Sequence, residues 1–435
     1  MQIIGDLAGD ASPKPLHYPA FRLLYFSPSG AIICWQIGVG GTEMRTKQGK
    51  GIVYSLLQGF YWMGLGVAVS YCAVYLQGRG YSNSQLGLVM TLGYIVSLLL
   101  SPSLASLVDS AKRVTVFHVS WILLMVQALV LLCLILIPGQ GLSVSALYML
   151  YIAACISGNP MLTQLSVELN RMERTVNYAA ARGFGSIFYA LGVLLLGYLA
   201  ERFGSAMLPC AGLVILLLQA GALALLNLPG SRPALSGDSA EKQAGVSLGR
   251  FIRENRRFCV LLLGTAIVYF THNLTNNYLI NVVRHVGGST GSMGALSCFM
   301  AVLEFPVMLL YNRFTRRFRC GSVLRFSLVF FALKALAIAL AGSMAGLYAA
   351  HLLQIFSFAL FTPTMVRYVN LHISGADSAK GQSLAYSMST LGSVFASFLG
   401  GMLFDRISVT AVLFTGAAVS ALGVLICQFS IEKEN

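Results

Sequence analysis

Stretches of about 20 mainly apolar residues, each long enough to cross the hydrocarbon of a bilayer, recur from residue 52 to residue 430 with short polar loops between them. A soluble domain could not hide so much apolar surface. Of the 435 residues, 57% are hydrophobic and 10% are charged, where globular chains average roughly a quarter charged. Twelve such segments can be drawn, at 52–76, 85–108, 115–137, 143–168, 178–200, 206–227, 258–282, 291–311, 321–342, 344–370, 380–404 and 408–430. Helix is the conformation open to them, because lipid offers no partner to unpaired backbone groups and the alternation of a barrel strand is missing. The expected fold class is all-α integral membrane.

Charge then orients the bundle. With residues 1–43 set aside, the loops on the side of the termini hold 19 Lys and Arg, and the opposite loops hold four: Arg79, Arg202, Arg284 and Arg406. The positive-inside rule therefore places both termini in the cytoplasm. The net charge of +14 becomes an orientation signal, and no nucleic acid is needed to explain it. The 9 cysteines are scattered, with no CxxC and no His/Cys cluster, which argues against a disulfide frame and a metal site. No Walker loop or HExxH occurs, so neither an enzyme nor a cofactor is expected.

Residues 1–43 fit the rest poorly. Their apolar patch at 31–39 is too short to span, and GVGGTEM ahead of Met44 looks like a translated purine-rich ribosome-binding site. The native start is expected at Met44, with 1–43 a leader or disordered tail.

Three anchors recur about 203 residues apart. Pro160 in GNPMLT matches Pro363 in FTPTMV, Asp109 in SLVDSAKR matches Asn312 in LLYNRFTRR, and Glu201-Arg202 matches Asp405-Arg406. Two six-helix pseudo-repeats are implied. The expected domains are 44–228, a cytoplasmic linker at 229–257, 258–430, and a tail at 431–435.

At this point the chain resembles the major facilitator superfamily over residues 52 to 430. The family's Gly-x-x-x-Asp-Arg-x-Gly-Arg-Arg loop is degenerate here, with Ala105, Asp109, Ser110, Lys112 and Arg113. In the fifth span ARGFGS, with Arg182 and Gly185, is similar to the Arg-x-x-Gly segment of the lactose permease and phenylpropionate permease branch. Glu304, eight residues before Asn312, resembles the acidic eighth helix of phenylpropionate and nucleoside proton symporters. Where lactose permease has an acid in its fourth span this chain has Gln164, with Glu168 one turn later, which argues against galactosides. The resemblance implies a bacterial inner-membrane transporter, working as a monomer by alternating access.

Polar groups inside the spans carry the specific expectations, since a charge at membrane depth costs roughly 2.5–3.5 kcal/mol on insertion scales. Arg182 is either a snorkelling side chain or a fixed cation whose planar fork suits a carboxylate; the family match favours the second. Gly183 and Gly185 beside it are expected to let helices approach closely. Glu304 lies about 12 Å inside its span, and Lys334, in the ninth, is expected to pair with it; the two form the proton-coupling pair. In THNLTNNYL of the seventh span, His272 and Asn276 share one face and Asn273 and Asn277 another. With Gln58, Tyr61, Trp62, Tyr189 and Gln164 they complete the candidate substrate site, while His351 and Gln354 are weaker candidates. Pro160 and Pro363 are expected to break their helices as bending points, with Asp109 and Arg113 also conformational.

The function expected is proton-coupled symport of a small polar or anionic organic solute, a sugar, nucleoside or aromatic acid. A proton-driven efflux antiporter is the alternative; a non-transporting receptor or membrane enzyme is a remote one. The orientation is testable by cysteine labelling in a cysteine-free background. An impermeant reagent added to intact cells should reach cysteines at Gln140 and Gly287 and never at Asp238 or Arg317. A labelled position 238 would invert the bundle.

Overall fold

Helix follows helix, as apolar runs without access to water require. The computed structural model describes residues 42–110, 114–171, 176–226, 248–315, 317–373 and 375–432, and no strand occurs among them. The first span begins as α1 (Thr42–Leu65), passes a π-helical turn at Gly66–Ser70 and continues as α2 (Cys72–Gly78). Then come α3 (Asn83–Ser110), α4 (Val116–Leu136), α5 (Leu142–Arg171), α6 (Tyr178–Phe203) and α7 (Leu208–Leu226). The later spans are built from α8 (Leu248–Glu254), α9 (Arg256–Asn277), α10 (Leu279–His285), α11 (Thr290–Thr315), α12 (Cys320–Leu340), α13 (Met344–Leu352), α14 (Phe358–His372), α15 (Gly375–Arg406) and α16 (Val409–Ser430). Residues from Lys47 onward form one compact unit. Of the stretch before it, the described part is the first turn of α1. Most of the 1–43 segment, all of Arg113 and the side chain of Asp109 lie outside the described residues.

Among the described residues, eleven helical stretches are long and apolar enough to cross a membrane. The remaining span, the tenth, is divided into α13 and α14, and here the structure corrects the sequence reading. Pro160 is exposed on a continuous α5, where the lost hydrogen bond does not stop the helix. Pro363 is likewise inside α14. The break falls earlier, at 353–357. There the amides of Leu353, Gln354, Ile355 and Phe356 each donate to a carbonyl three residues back, and Ala359 N donates to Gln354 O five residues back. A proline crowds the carbonyl four residues before it, so Pro363 disturbs the turn at residue 359 and the distortion appears upstream of the ring. Pro102 in α3 and Pro306 in α11 add another matched pair to the repeat.

The expected linker also ends sooner than drawn. From Leu248 it is helical, and Phe251 is fully buried, edge-on to Phe258 at 6.3 Å with Lys380 Nζ 5.7 Å from its ring centre.

The end of the bundle poor in Lys and Arg is closed by two crossings related by the repeat. One joins α6 to α11, the other α3 to α15. Glycines let the backbones meet. A Cβ built on Gly294 would sit 2.6 Å from Val193 O and 3.0 Å from Gly197 Cα, and one built on Gly87 would sit 2.2 Å from Ser397 O. Carboxylates then cap the helix N-termini they meet, where unpaired N–H groups and the helix dipole favour an anion. Glu201 at the end of α6 accepts from Gly291 N (2.8 Å) and Ser289 Oγ (3.0 Å) at the start of α11. Asp405 at the end of α15 accepts from Asn83 N (3.0 Å) and Ser84 N (2.7 Å) at the start of α3. Tyrosines at matching positions brace both crossings: Tyr71 donates to Val193 O and Tyr278 to Ser397 O. Gln77 Nε2 donates to Asn281 Oδ1 at 2.7 Å across the same end.

A methyl group at Gly294 must push α6 and α11 apart, at about 1–3 kcal/mol for such overpacking. Gly294→Ala should lower the melting temperature by several degrees. Gly221→Ala, where a Cβ meets nothing within 4 Å, should leave it unchanged or raise it, as helix propensity alone predicts.

Candidate functional site

A central cavity of about 690 Å³ lies between the helices, with walls from α1, α6, α9, α11, α14 and α15. Trp62, Arg182, Tyr189, His272, Asn276 and Glu304, all expected from the sequence, line it.

Arg182 does not snorkel. Asn177 caps α6, accepting from Ala180 N at 3.1 Å, but the guanidinium turns the other way, deeper into the bundle. It lies 3.6 Å from the centre of the Trp62 ring, and its Nη1 donates to Ser186 Oγ at 3.0 Å. This is a cation–π contact in a desolvated setting, where such contacts are strongest. Gly185 makes it possible: a Cβ there would sit 2.5 Å from Trp62 Cδ1. That is the physical content of the Arg-x-x-Gly spacing. Gly183, by contrast, has no atom within 4 Å of a built Cβ and serves no close approach.

Gln58 and Tyr61 are not cavity residues. Gln58 is fully buried; its Nε2 donates to Tyr54 Oη at 2.8 Å and its Oε1 accepts from Trp62 Nε1 at 3.3 Å. It therefore holds the indole on which Arg182 rests. Tyr61 donates to Cys155 O at 3.1 Å and packs the first span against α5. Both have apolar neighbours one turn away, so helical spacing alone could not separate them from Trp62. Gln164, half-buried on α5, is also not part of the cavity wall.

The expected Glu304–Lys334 pair is present in a different form. Gln354 stands between the two: its Nε2 donates to Glu304 Oε1 at 2.8 Å, and its Oε1 accepts from Lys334 Nζ. Lys334 is buried outside the cavity wall and reaches it through this amide. The reason is packing. The tenth span contacts both α11 and α12 and lies between them, and its broken turn carries Gln354. His351, one turn earlier, is fully buried and bonds Leu347 O through Nδ1 at 2.8 Å.

In α9 the two faces separate as the i, i+4 rule requires. His272 Nε2 and Asn276 Nδ2 are 3.1 Å apart, and the imidazole stacks on Phe358 at 4.9 Å and 10°. Asn273 and Asn277 also line the cavity, and they tie α9 to α15, donating to Ser389 O and Ser397 Oγ, each at 2.9 Å. The wall that sequence reasoning missed is α15. Gln382, Tyr386, Ser389 and Ser393 line the cavity at spacings of four, three and four residues, one helical face. The stripe was present in QSLAYSMSTLGS, hidden because serine and tyrosine are only mildly polar. Among the described residues no cluster of His, Cys, Asp or Glu could hold a metal ion.

A twelve-span bundle with a central cavity between its repeats, apolar for the most part but carrying charged and amide groups, is the architecture of a membrane transporter. The MFS_1 like family profile matches residues 52–415, and the chain belongs to that family. It is 25% identical over 390 residues to a maltose permease of Geobacillus stearothermophilus, covering 88% of this chain and 95% of that one. It is 24% identical to an uncharacterized transporter, YwbF, of Bacillus subtilis (strain 168), covering 87% and 94%. Among solved structures, the nucleoside transporter NupG aligns with a TM-score of 0.72 at 15% identity over 89% of this chain and 99% of that one. An auto-inhibited peptide transporter of the POT family aligns at 0.67 and 11%, covering 90% and 97%. The chain is a transporter, not an enzyme.

Proposed function

We propose that the protein is a proton-coupled symporter that moves a small, hydroxyl-bearing ring solute, a sugar or nucleoside, by alternating access. One observation carries the coupling: the Glu304 carboxylate is on the cavity wall and is joined through Gln354 to the buried Lys334. Gain or loss of a proton at Glu304 therefore changes the charge balance inside the cavity where solute binds. The walls favour a ring. Trp62, Tyr269 and Phe358 offer faces for stacking, while Asn276, Gln382 and the Arg182 fork offer donors and acceptors. A relative named for maltose and a fold neighbour named for nucleosides agree with that chemistry.

Two six-helix halves, 44–228 and 258–430, rock about this cavity, and the glycine crossings part when the face they close opens. On this reading both termini are cytoplasmic, the protein works as a monomer in a bacterial cytoplasmic membrane, and the closed crossings face outward. The conformation described is then inward-facing.

Two substitutions test separate parts of the mechanism. Glu304→Gln should abolish uphill accumulation while leaving solute exchange between equilibrated compartments measurable in proteoliposomes; normal pH-driven accumulation would remove Glu304 from coupling. Arg182→Lys keeps the charge but loses the planar fork. It should weaken solute affinity about tenfold, the scale of one charge-assisted contact, in a screen of thermal stabilisation by sugars and nucleosides. Wild-type affinity in a well-expressed variant would exclude Arg182 from the binding site.

A further inference from the structure

A second hollow, of about 530 Å³, lies between α11, α12 and the broken tenth span and shares no residue with the central cavity. Pro306 and Leu310 form one wall, Val323 and Phe326 the second, Phe356 and Leu360 the third. Of the ten lining residues, Ser322 alone carries a polar side chain. Its inner end is aromatic: Phe326, Phe330 and Phe356 have ring centres 4.6 to 6.1 Å apart. The outer wall is open, with Leu310, Phe326 and Phe356 each more than 40% exposed on a surface that meets lipid.

The other end of the hollow is basic. Phe318, which lines it, is flanked by Arg317 and Arg319, and all three are exposed. Arg313 is also exposed, and at seven residues past Pro306 and three past Leu310 it shares their helical face. Arg319 is the N-cap of α12, directly before the turn that carries Ser322 and Val323. No Asp or Glu occurs from 305 to 326.

We infer that this groove is a binding site for an anionic phospholipid, with one acyl chain in the apolar hollow and the phosphate among Arg313, Arg317 and Arg319. The hollow has the wrong polarity for a water-soluble solute and the right depth of apolar wall for a chain. Guanidinium forks suit phosphate oxygens, and basic clusters at a membrane surface attract anionic headgroups. The charge commits the site to an anionic lipid over a zwitterionic one. The site has a consequence for the tenth span. Gln354 and Phe358 face the central cavity while Ile355, Phe356 and Leu360 face the groove, so a bound chain presses on the back of the broken turn and holds Gln354 toward Glu304.

Native mass spectrometry of the purified full-length protein, titrated with phosphatidylglycerol or phosphatidylcholine, tests the site without any transported solute. Wild type should retain one phosphatidylglycerol at least tenfold better than phosphatidylcholine. Leu310→Trp, which fills the hollow from an exposed position, should lower that retention at least tenfold. Arg313→Gln with Arg317→Gln, both on the surface, should reduce the preference between the lipids at least fivefold while the protein stays monodisperse. Equal retention of the two lipids, occupation by detergent alone, or unchanged phosphatidylglycerol binding in Leu310→Trp each overturns the assignment. Lipid retention is read with no solute and no proton gradient present, so failure of the coupling mechanism and failure of this site are distinguished.

Discussion

In hydrocarbon a peptide group has no hydrogen-bond partner except another peptide group or a buried side chain. That constraint decides where this chain can depart from α-helix. Among the described residues it departs three times within its spans, at the π-helical turn Gly66–Ser70, at Tyr278 between α9 and α10, and at the wound segment 353–357. All three border the central cavity, through Val69 and Ser70, through Leu279, and through Gln354. Ser70 Oγ meets Tyr189 Oη there at 2.9 Å, and Gln354 meets Glu304. Irregular backbone and polar side chains are thus concentrated at one depth, where each can satisfy the other. The remainder of the bundle is regular helix with apolar faces turned to lipid.

The bundle itself was legible in the sequence, because the length of an apolar run and the lack of strand alternation leave a single solution. The chemistry of the cavity was partly legible. Arg182, Glu304, His272 and Asn276 stood out because lipid makes such groups costly, and they do face the cavity. What the sequence could not supply was which helix lies between which. Lys334 and Glu304 were matched as neighbours on consecutive spans, yet the tenth span separates α11 from α12 and inserts an amide between the charges. Gln58 and Trp62 are one turn apart on the same helix, and only the position of α6 decides that one faces solute space and the other supports it. The break in the tenth span was assigned to the proline, although the effect of a proline falls on the preceding turn. The stripe on α15 was overlooked because its serines cost little to bury, so nothing in composition marked them.

The repeat is more than a count of spans. Gly197 and Gly401, Gly294 and Gly87, Tyr71 and Tyr278, Glu201 and Asp405 are equivalent pairs, and each pair does the same work at its own crossing. Two copies of one device therefore close the same face of the bundle with the same parts. An opening that parts one crossing leaves the other under the same geometric strain, which favours their release together.

The capping carboxylates have a consequence in time as well as in space. Asn83 and Asp405 are 322 residues apart, and Gly291 receives its cap from Glu201, made 90 residues earlier. As the chain emerges from the ribosome, the eighth span finds its carboxylate already in the membrane. The second span, inserted almost first, has only its local Ser82 and Gln85 caps until nearly the whole polypeptide has been synthesised. That end of the young half-bundle must therefore stay at the water interface, hydrated, while the later spans are threaded past it. The helix that dries it, α15, is the last but one to arrive.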